Sequence, residues 1–377
     1  MTKRPSSESG ISIPLSEDGL FVNQYVYNTG LKEEFSICAF YHPDKRAKGY
    51  KVTNDLILDK KTPDYARDTA RRNMFFYLEP LSKFAPSFKA TKLGFVPPDG
   101  YTPLNPSIAT APSGHIYCVI RTVNYTIDAA GRYLIRSTNG EANSTNPIDT
   151  RNFLARLRLS DFEIQSVSEI VWNRPPPAFD LVTGMEDMRL SANGHILTVN
   201  ACVREENTQG WCRQVQAEIR SGAGNEYVVS HHTMMHHDRH EKNWMPIQGR
   251  NEYVYQLDRI VNDLGKTVKE CAVDINIDRI SGGSQLIPFF GGLLAVVHEA
   301  SFRPDNGQRY YQHRFALFDK EGNFGRLSLP FYLHDKQIEF VAGLCWGNGK
   351  LLVSYGIRDE EAWVAELDAH DVMGMLL

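Results

Sequence analysis

Leu104-Asn105-Pro106-Ser107 stands a few residues before an alternating apolar run from His115 to Arg121, and the same arrangement returns along the chain. Glu186-Asp187-Met188-Arg189 precedes His195 to Val203, and Lys242-Asn243-Trp244 precedes Glu252 to Leu257. Gly282-Gly283-Ser284-Gln285 precedes Leu293 to Ala300, and Glu339-Phe340-Val341-Ala342-Gly343 precedes Leu351 to Ile357. In each copy a Gly- or Asn-containing turn separates the polar motif from a run that reads as a β-strand. A recurring strand unit is the signature of a radial repeat, and unequal spacing is what loop insertions produce. The pattern therefore predicts an all-β chain, a five-bladed β-propeller, in which motifs distant in sequence surround one axial pocket.

Further strands follow in each repeat, clearest at Phe153 to Leu159, Tyr311 to Phe318 and Ala362 to Leu367. Several end at an Asp with a polar turn (Asp161, Asp319, Asp368), as antiparallel blades require. Residues 1–93 do not share the repeat and are read as an N-terminal helix-containing extension, with 94–377 as the catalytic propeller domain. Phe35 to Tyr41 reads as a strand. Thr62 to Phe84, with Pro63 near its start and apolar residues at helical spacing, reads as a helix. The extension is expected to cover the first blade or an edge strand, with a lid or a dimer contact as the other roles. Little chain remains after Leu367, enough for a short helix or turn, so the last blade should borrow a strand from residues before Leu104.

The 377 residues are 42% apolar, ample for a packed core, and the formal charge of −4 excludes a nucleic-acid or membrane footprint. Cys38, Cys118, Cys202, Cys212, Cys271 and Cys345 are scattered without a CxxC pair, so neither a zinc knuckle nor a disulfide framework is expected. Cys118, Cys202 and Cys345 fall in or beside strands and read as small core residues. Met1 to Glu17 is polar and lacks the apolar run of a signal peptide or membrane span, which predicts cytoplasmic residence.

A pocket lined by Asn105, Glu186, Asp187, Arg189, Lys242 and Asn243 would combine carboxylates with cations. Glycosyl transfer needs that combination. One carboxylic acid protonates the leaving oxygen, while a second carboxylate activates water or cations hold a phosphate nucleophile. Glu186 and Asp187 are the candidate catalytic pair. Trp244, beside the Lys-Asn pair, is the aromatic residue expected to stack on a sugar ring, whereas most other aromatics should pack between blades. His231 to His240 holds five histidines, but without a ligand spacing typical of a metal. It reads as a solvated or substrate-facing loop, and no metal or cofactor is expected.

Taken in order, Leu104 to Ser107 with Tyr117 and Arg121, Gly184 to Arg189, Lys242 to Trp244, the strand ending at His298, Tyr311 to Asp319 and Val353 to Gly356 resemble the mannoside phosphorylases of glycoside hydrolase family 130. The resemblance covers roughly Leu104 to Leu367. It implies a five-bladed propeller that cleaves or makes β-mannosidic bonds with inversion, and Asp187 as the general acid, acting through a sugar hydroxyl. It also implies a phosphate clamp of Arg189, Lys242, His298 and Tyr311. Substrate contacts are expected from Asn105, Arg121, Asn243, Trp244, His313, Arg314 and Glu339.

The chain departs from the family at Met188, Glu299, Arg303 and His313-Arg314, and Phe331 to His334 and Arg358-Asp359-Glu360 look particular to this branch. Extra cations beside the clamp would suit a nucleoside diphosphate, which makes a sugar-nucleotide-dependent mannosyltransferase the rival reading. A hydrolase with the same pocket is a third enzyme class, and a non-catalytic carbohydrate-binding propeller the remaining one. The expected partners are an oligosaccharide or glycoside, with inorganic phosphate or a sugar nucleotide as co-substrate. A homo-oligomer stays open.

Overall fold

The computed structural model describes residues 7–14, 23–137, 140–194, 196–222, 226–236 and 238–376. His195, His237, Leu377 and most of the polar start lie outside the described residues. Among those described, antiparallel units follow one another, each opening with a strand at or beside one of the polar motifs. The first comprises Thr102–Thr110, Ile116–Val123, Ile148–Leu157 and Ile164–Val171. The second comprises Glu186–Asn193, Ile196–Val203, Arg213–Ser221 and Tyr227–Met234. Met245–Pro246, Glu252–Tyr255, Arg259–Asn262 and Thr267–Glu270 make the third.

The fourth unit is built on the long hairpin Gly292–Phe302 and Arg309–Phe318, flanked by Ser281–Gly282, Ile287–Phe289 and Phe324–Leu327. The fifth is Glu339–Gly347, Lys350–Ile357 and Glu361–Leu367. Its outer strand is Lys89–Lys92, which pairs antiparallel with the last strand from Lys89↔Glu366 to Lys92↔Trp363. The loan of a strand from before Leu104 is thus observed, and it ties both ends of the chain into one sheet. The boundary placed at residue 93 falls immediately after that strand.

Apolar layers lie between successive units, and one joins the last to the first. Val119 and Leu154 pack with Leu190 and Val199; Val254 and Ile260 pack with Val297 and Phe318. Val296 and Phe315 pack with Val341 and Val353, while Ile108 and Ile120 meet Leu352 and Val364. Strands sandwiched in this way are apolar on both faces, and each fully buried Val, Leu or Phe contributes about 1.5–3 kcal/mol of transfer free energy.

The first, second and fifth motifs lie within the innermost strands, the third and fourth lie beside theirs, and the alternating runs form the second strands. At the centre Ser107 Oγ donates to Ala342 O (2.9 Å) and accepts from Leu190 N (2.9 Å). Gln285 Nε2 donates to Ile108 O (2.7 Å), and its Oε1 accepts from Leu344 N (3.1 Å). Gly343 permits this convergence, because a Cβ there would stand 2.4 Å from Ile108 N.

Two sequence expectations are corrected in the extension. Phe35 to Tyr41 is helical, within Leu31–Cys38 and Ala39–Tyr41, because Phe35 and Ala39 share one buried face four residues apart. The helices Arg46–Leu58 and Asp64–Tyr77 cover the fourth unit and not the first. Arg314 Nη1 donates to Asn54 Oδ1 (2.6 Å), Arg71 Nε lies 3.3 Å from Glu299 Oε1, and Phe75 packs edge-on against Tyr310. The helices also reach the third unit's trailing segment, where Asn276 N donates to Leu58 O (2.6 Å). Among the described residues no helix is long and apolar enough to cross a membrane. Ala369–Leu376 forms the short C-terminal helix, and Cys118, Cys202 and Cys345 are buried thiols.

Candidate active site

The innermost strands of the first two units each carry a β-bulge, between Leu104 and Ser107 and between Glu186 and Arg189. At the bulge the backbone turns left-handed, with φ 42° at Asn105 and 48° at Asp187, and Asn243 beside the third unit has φ 65°. Asn and Asp tolerate this region better than other side-chain-bearing residues. The recurring Asn/Asp positions are therefore a backbone requirement as well as a chemical one, and the bulge aims each side chain toward the axis.

Asp187 Oδ1 accepts from Arg121 Nη1 (2.7 Å) and Asn105 Nδ2 (2.9 Å). Its Oδ2 has no hydrogen-bond partner among the described residues, so one oxygen is fixed and the other is available. Burial raises the carboxyl pKa, but Arg121, Arg189, the Asn105 amide and Lys242 outweigh it and hold Asp187 well below the usual carboxylate range. Glu186 is engaged otherwise: Oε1 accepts from Arg204 Nε (2.9 Å) and Oε2 lies 3.6 Å from Arg121 Nη2. The alternating chain Arg204, Glu186, Arg121, Asp187 fixes the geometry of the acidic pair, with both Glu186 oxygens facing guanidinium groups.

Arg189 is a strut. It is 1% exposed, with Nε donating to Gly283 O (2.7 Å), Nη1 to Asp187 O (3.0 Å) and Nη2 to Asn243 Oδ1 (3.0 Å) and Gly282 O (3.4 Å). One Nη1 hydrogen remains for a ligand, so its expected place in a phosphate clamp shrinks to that. Burial lowers its pKa to about 10 against the opposing pull of Asp187. Lys242 differs: its ammonium has no hydrogen bond or ion pair among the described residues, yet acts electrostatically on Asp187, His298 and Tyr133.

His298 and Tyr311 lie with ring centroids 5.4 Å apart, the His ring edge-on to Phe340. Burial first, then His313, Arg189 and Lys242, hold His298 far below the usual imidazole value, so it is neutral at pH 7, and Nδ1 is unpartnered. Burial raises the Tyr311 phenol, with Arg309 opposing.

A carboxylate outside the predicted set faces the same space. Asp359 Oδ2 accepts from the Tyr125 hydroxyl (2.9 Å), and burial raises its pKa while Arg121 opposes and Asp187 reinforces. It occupies the hairpin turn after Ile357, where Arg358 and Asp359 both have φ 56°. Asp tolerates that region, but a left-handed Arg358 is strained, and strain of this kind is concentrated at functional sites. The signal in the sequence was Arg358-Asp359 where a tight turn would ordinarily carry Asn-Gly.

Four predicted substrate contacts are elsewhere. Trp244 is fully buried among Met235, Tyr253 and Val261, with Nε1 donating to Glu241 Oε2 (3.2 Å), and forms core, not a sugar platform. Trp244→Ala is expected to cost about 3–5 kcal/mol of stability, read by urea denaturation. Weakened sugar binding at unchanged stability would restore it to the site. Arg314 faces the helices. His313 is buried against Phe331, its pKa driven by burial to about 3. Glu339 is 0% exposed and organises a loop, accepting from Leu333 N (2.7 Å), His334 N (2.8 Å) and Asp335 N (2.9 Å).

The histidine cluster disperses. His231 and His232 are in a strand, His236 Nε2 accepts from Gln214 N (3.2 Å) and His240 Nδ1 from Cys212 N (3.0 Å). No metal-binding group occurs among the described residues.

No family model matches the chain, and no curated protein matches it. Solved structures do. A β-1,2-mannobiose phosphorylase from Listeria innocua, solved with β-1,2-mannobiose, superimposes with TM-score 0.51 at 13% identity, over 76% of this chain and 96% of that one. A mannose phosphorylase from Leishmania mexicana with a phosphate ion gives TM-score 0.45 at 12% identity over 77% and 91% of the two chains. A GDP-Man-dependent mannosyltransferase from the same organism gives 0.47 at 11% over 74% and 89%. The first of these shows that the chain shares the fold of a mannoside phosphorylase.

Proposed function

We propose that the chain is a divergent member of glycoside hydrolase family 130, its antiparallel units the blades of a five-bladed propeller, and that it is an enzyme of inverting glycosyl transfer between a β-mannoside-type glycoside and phosphate. The observation that carries this reading is Asp187, clasped through Oδ1 by Arg121 and Asn105 while Oδ2 and the unpaired Lys242 are available beside it. In phosphorolysis a phosphate oxygen attacks the anomeric carbon, the glycosidic C–O bond breaks, and the leaving oxygen takes the proton supplied by Asp187. The products are an inverted sugar 1-phosphate and a shortened acceptor. In the reverse direction the acceptor hydroxyl gives its proton to the Asp187 carboxylate as it attacks the sugar phosphate, and phosphate leaves.

The electrostatics bear on direction. With Lys242 and two guanidinium groups acting on it, Asp187 is ionised at pH 7, the form that serves as the base of synthesis. An anion seated against Lys242 would offset part of that positive field and raise the Asp187 pKa, so phosphate binding and the acid form are coupled. Neutral His298 and the Tyr311 phenol can donate to phosphate oxygens without adding charge.

The test is to incubate the chain with mannose 1-phosphate and, separately, GDP-mannose, each with an acceptor panel, and to follow released phosphate or GDP. Phosphate release from mannose 1-phosphate is the expected result. Release of GDP alone would move the chain to the sugar-nucleotide transferases, and release from neither donor with glycoside hydrolysis also absent would end the enzyme reading.

A further inference from the structure

A cavity of about 660 Å³ opens between the hairpin after Tyr125, the turn from Phe302 to Arg309 and the turn at Arg358 to Glu360. That volume is within the range of small-molecule sites. It adjoins the axial site through Tyr133, whose ring stands edge-on to Tyr125 at 4.9 Å, and Tyr125 in turn holds Asp359. Gln308 Nε2 donates to Ala129 O (2.5 Å) and ties the hairpin tip across the opening.

The charges lining it are unequally paired. Arg303 is bound to Asp305 (2.7 Å), Asp128 to Arg132 (2.8 Å), and Asp335 caps Lys336 N (2.7 Å). Arg309 and Arg358 have no carboxylate at ion-pair distance among the described residues; Arg358 Nε donates to Gln337 Oε1, and the Arg309 guanidinium lies 5.9 Å from the Phe302 ring. One lining carboxylate, Glu360, is likewise unpaired among the described residues. Two aromatic rings are open to solvent here, Phe302 at 63% and Tyr133 at 40% exposure.

A guanidinium fork binds phosphate oxygens in pairs, and an open aromatic face stacks on a sugar or a base. Orthophosphate needs neither the volume nor the rings. We propose that this cavity binds a phosphate ester bearing a ring, with Arg309 and Arg358 on the phosphate and Tyr133 against the ring. The proposal rests on the axial site being a glycosyl-transfer centre, to which the cavity is connected through the Tyr133, Tyr125 and Asp359 contacts. A sugar phosphate and a nucleoside diphosphate share this chemistry.

Calorimetric titration of the full chain with inorganic phosphate, mannose 1-phosphate and GDP separates the sources. At least one ester should bind wild type and lose about tenfold or more in affinity in Arg309→Gln/Arg358→Gln, equivalent to about 1.4 kcal/mol. Glu360→Gln should tighten the same ester. Both side chains are exposed, Arg358 in a turn and Arg309 at the start of its strand, so the double variant should fold. Tighter binding of GDP than of mannose 1-phosphate identifies a base on Tyr133, and the reverse identifies a sugar. Ester binding that is absent, or equal in wild type and the double variant, overturns the cavity proposal. Inorganic phosphate binding that depends on Lys242 while the esters ignore Arg309 and Arg358 overturns the cavity alone. Ester binding that depends on those arginines, without any response to inorganic phosphate, overturns phosphorolysis and leaves the cavity standing.

Discussion

Asp187→Asn is expected to lower turnover by about 10²–10⁴-fold, the usual worth of a positioned proton-transfer group, while the chain still folds. Asn suits the site: the backbone there has φ 48°, and Asn itself occupies the left-handed positions Asn105 and Asn243. Ala would add strain and confuse the result. The substitution also removes a charge from beside Arg121, and here the sign matters. Asp187 has a folded pKa below its unfolded value of about 4, so it contributes stability above that pH and loses it as pH falls through the folded pKa. At pH 7 the variant therefore loses some stability together with its activity. Thermal unfolding must be measured beside the rate. A variant that turns over within a few-fold of wild type would remove Asp187 from the chemistry, whatever its melting temperature.

The five motifs were legible because they combine two constraints. The innermost strands must approach one another, which requires Gly343 and the Ser107 and Gln285 hydrogen bonds, and the bulges of the first two favour the Asn105 and Asp187 found there. Both leave residue types that recur. What could not be read was the direction of side chains next to a motif. Trp244 adjoins Asn243 in sequence, but Asn243 is left-handed, with φ 65°, and the chain leaves it with the Trp244 ring in the core. His313 and Arg314 alternate along their strand, one facing the fifth unit and the other the helices. Glu339 has the charge of a site residue but spends it on three backbone N–H groups. Asp359 was the converse case: Arg358-Asp359 stands out as a turn without Asn-Gly, but that its carboxylate meets the Tyr125 hydroxyl at the site follows only from the structure. The helices' partner was illegible too, since it rests on contacts between residues far apart in sequence, such as Asn54 with Arg314 and Phe75 with Tyr310.

Arg121→Met is expected to cost about 3–5 kcal/mol at pH 7, as removing one member of a buried ion pair does. Arg121 is 5% exposed and meets two carboxylates, Asp187 at 2.7 Å and Glu186 at 3.6 Å. Glu186 keeps Arg204 at 2.9 Å, so most of the loss should come from Asp187, left with the Asn105 amide and more distant cations. Two consequences separate this account from a packing defect. Without Arg121 the burial that raises the Asp187 pKa is less opposed, so its folded value rises. Wild type loses stability through Asp187 as pH falls below the unfolded carboxylate value of about 4, whereas the variant loses less or gains, and the deficit should narrow between about pH 5 and pH 3 in urea denaturation. The second consequence concerns the double variant. Arg121→Met/Asp187→Asn leaves no uncompensated charge at that position and should recover part of the stability lost by Arg121→Met alone, giving a coupling energy of about 1 kcal/mol or more. Equal instability of the single and double variants, with a deficit independent of pH, would mean that Arg121 acts through its bulk. In that case the depressed pKa of Asp187 would have to be ascribed to Arg189 and Lys242.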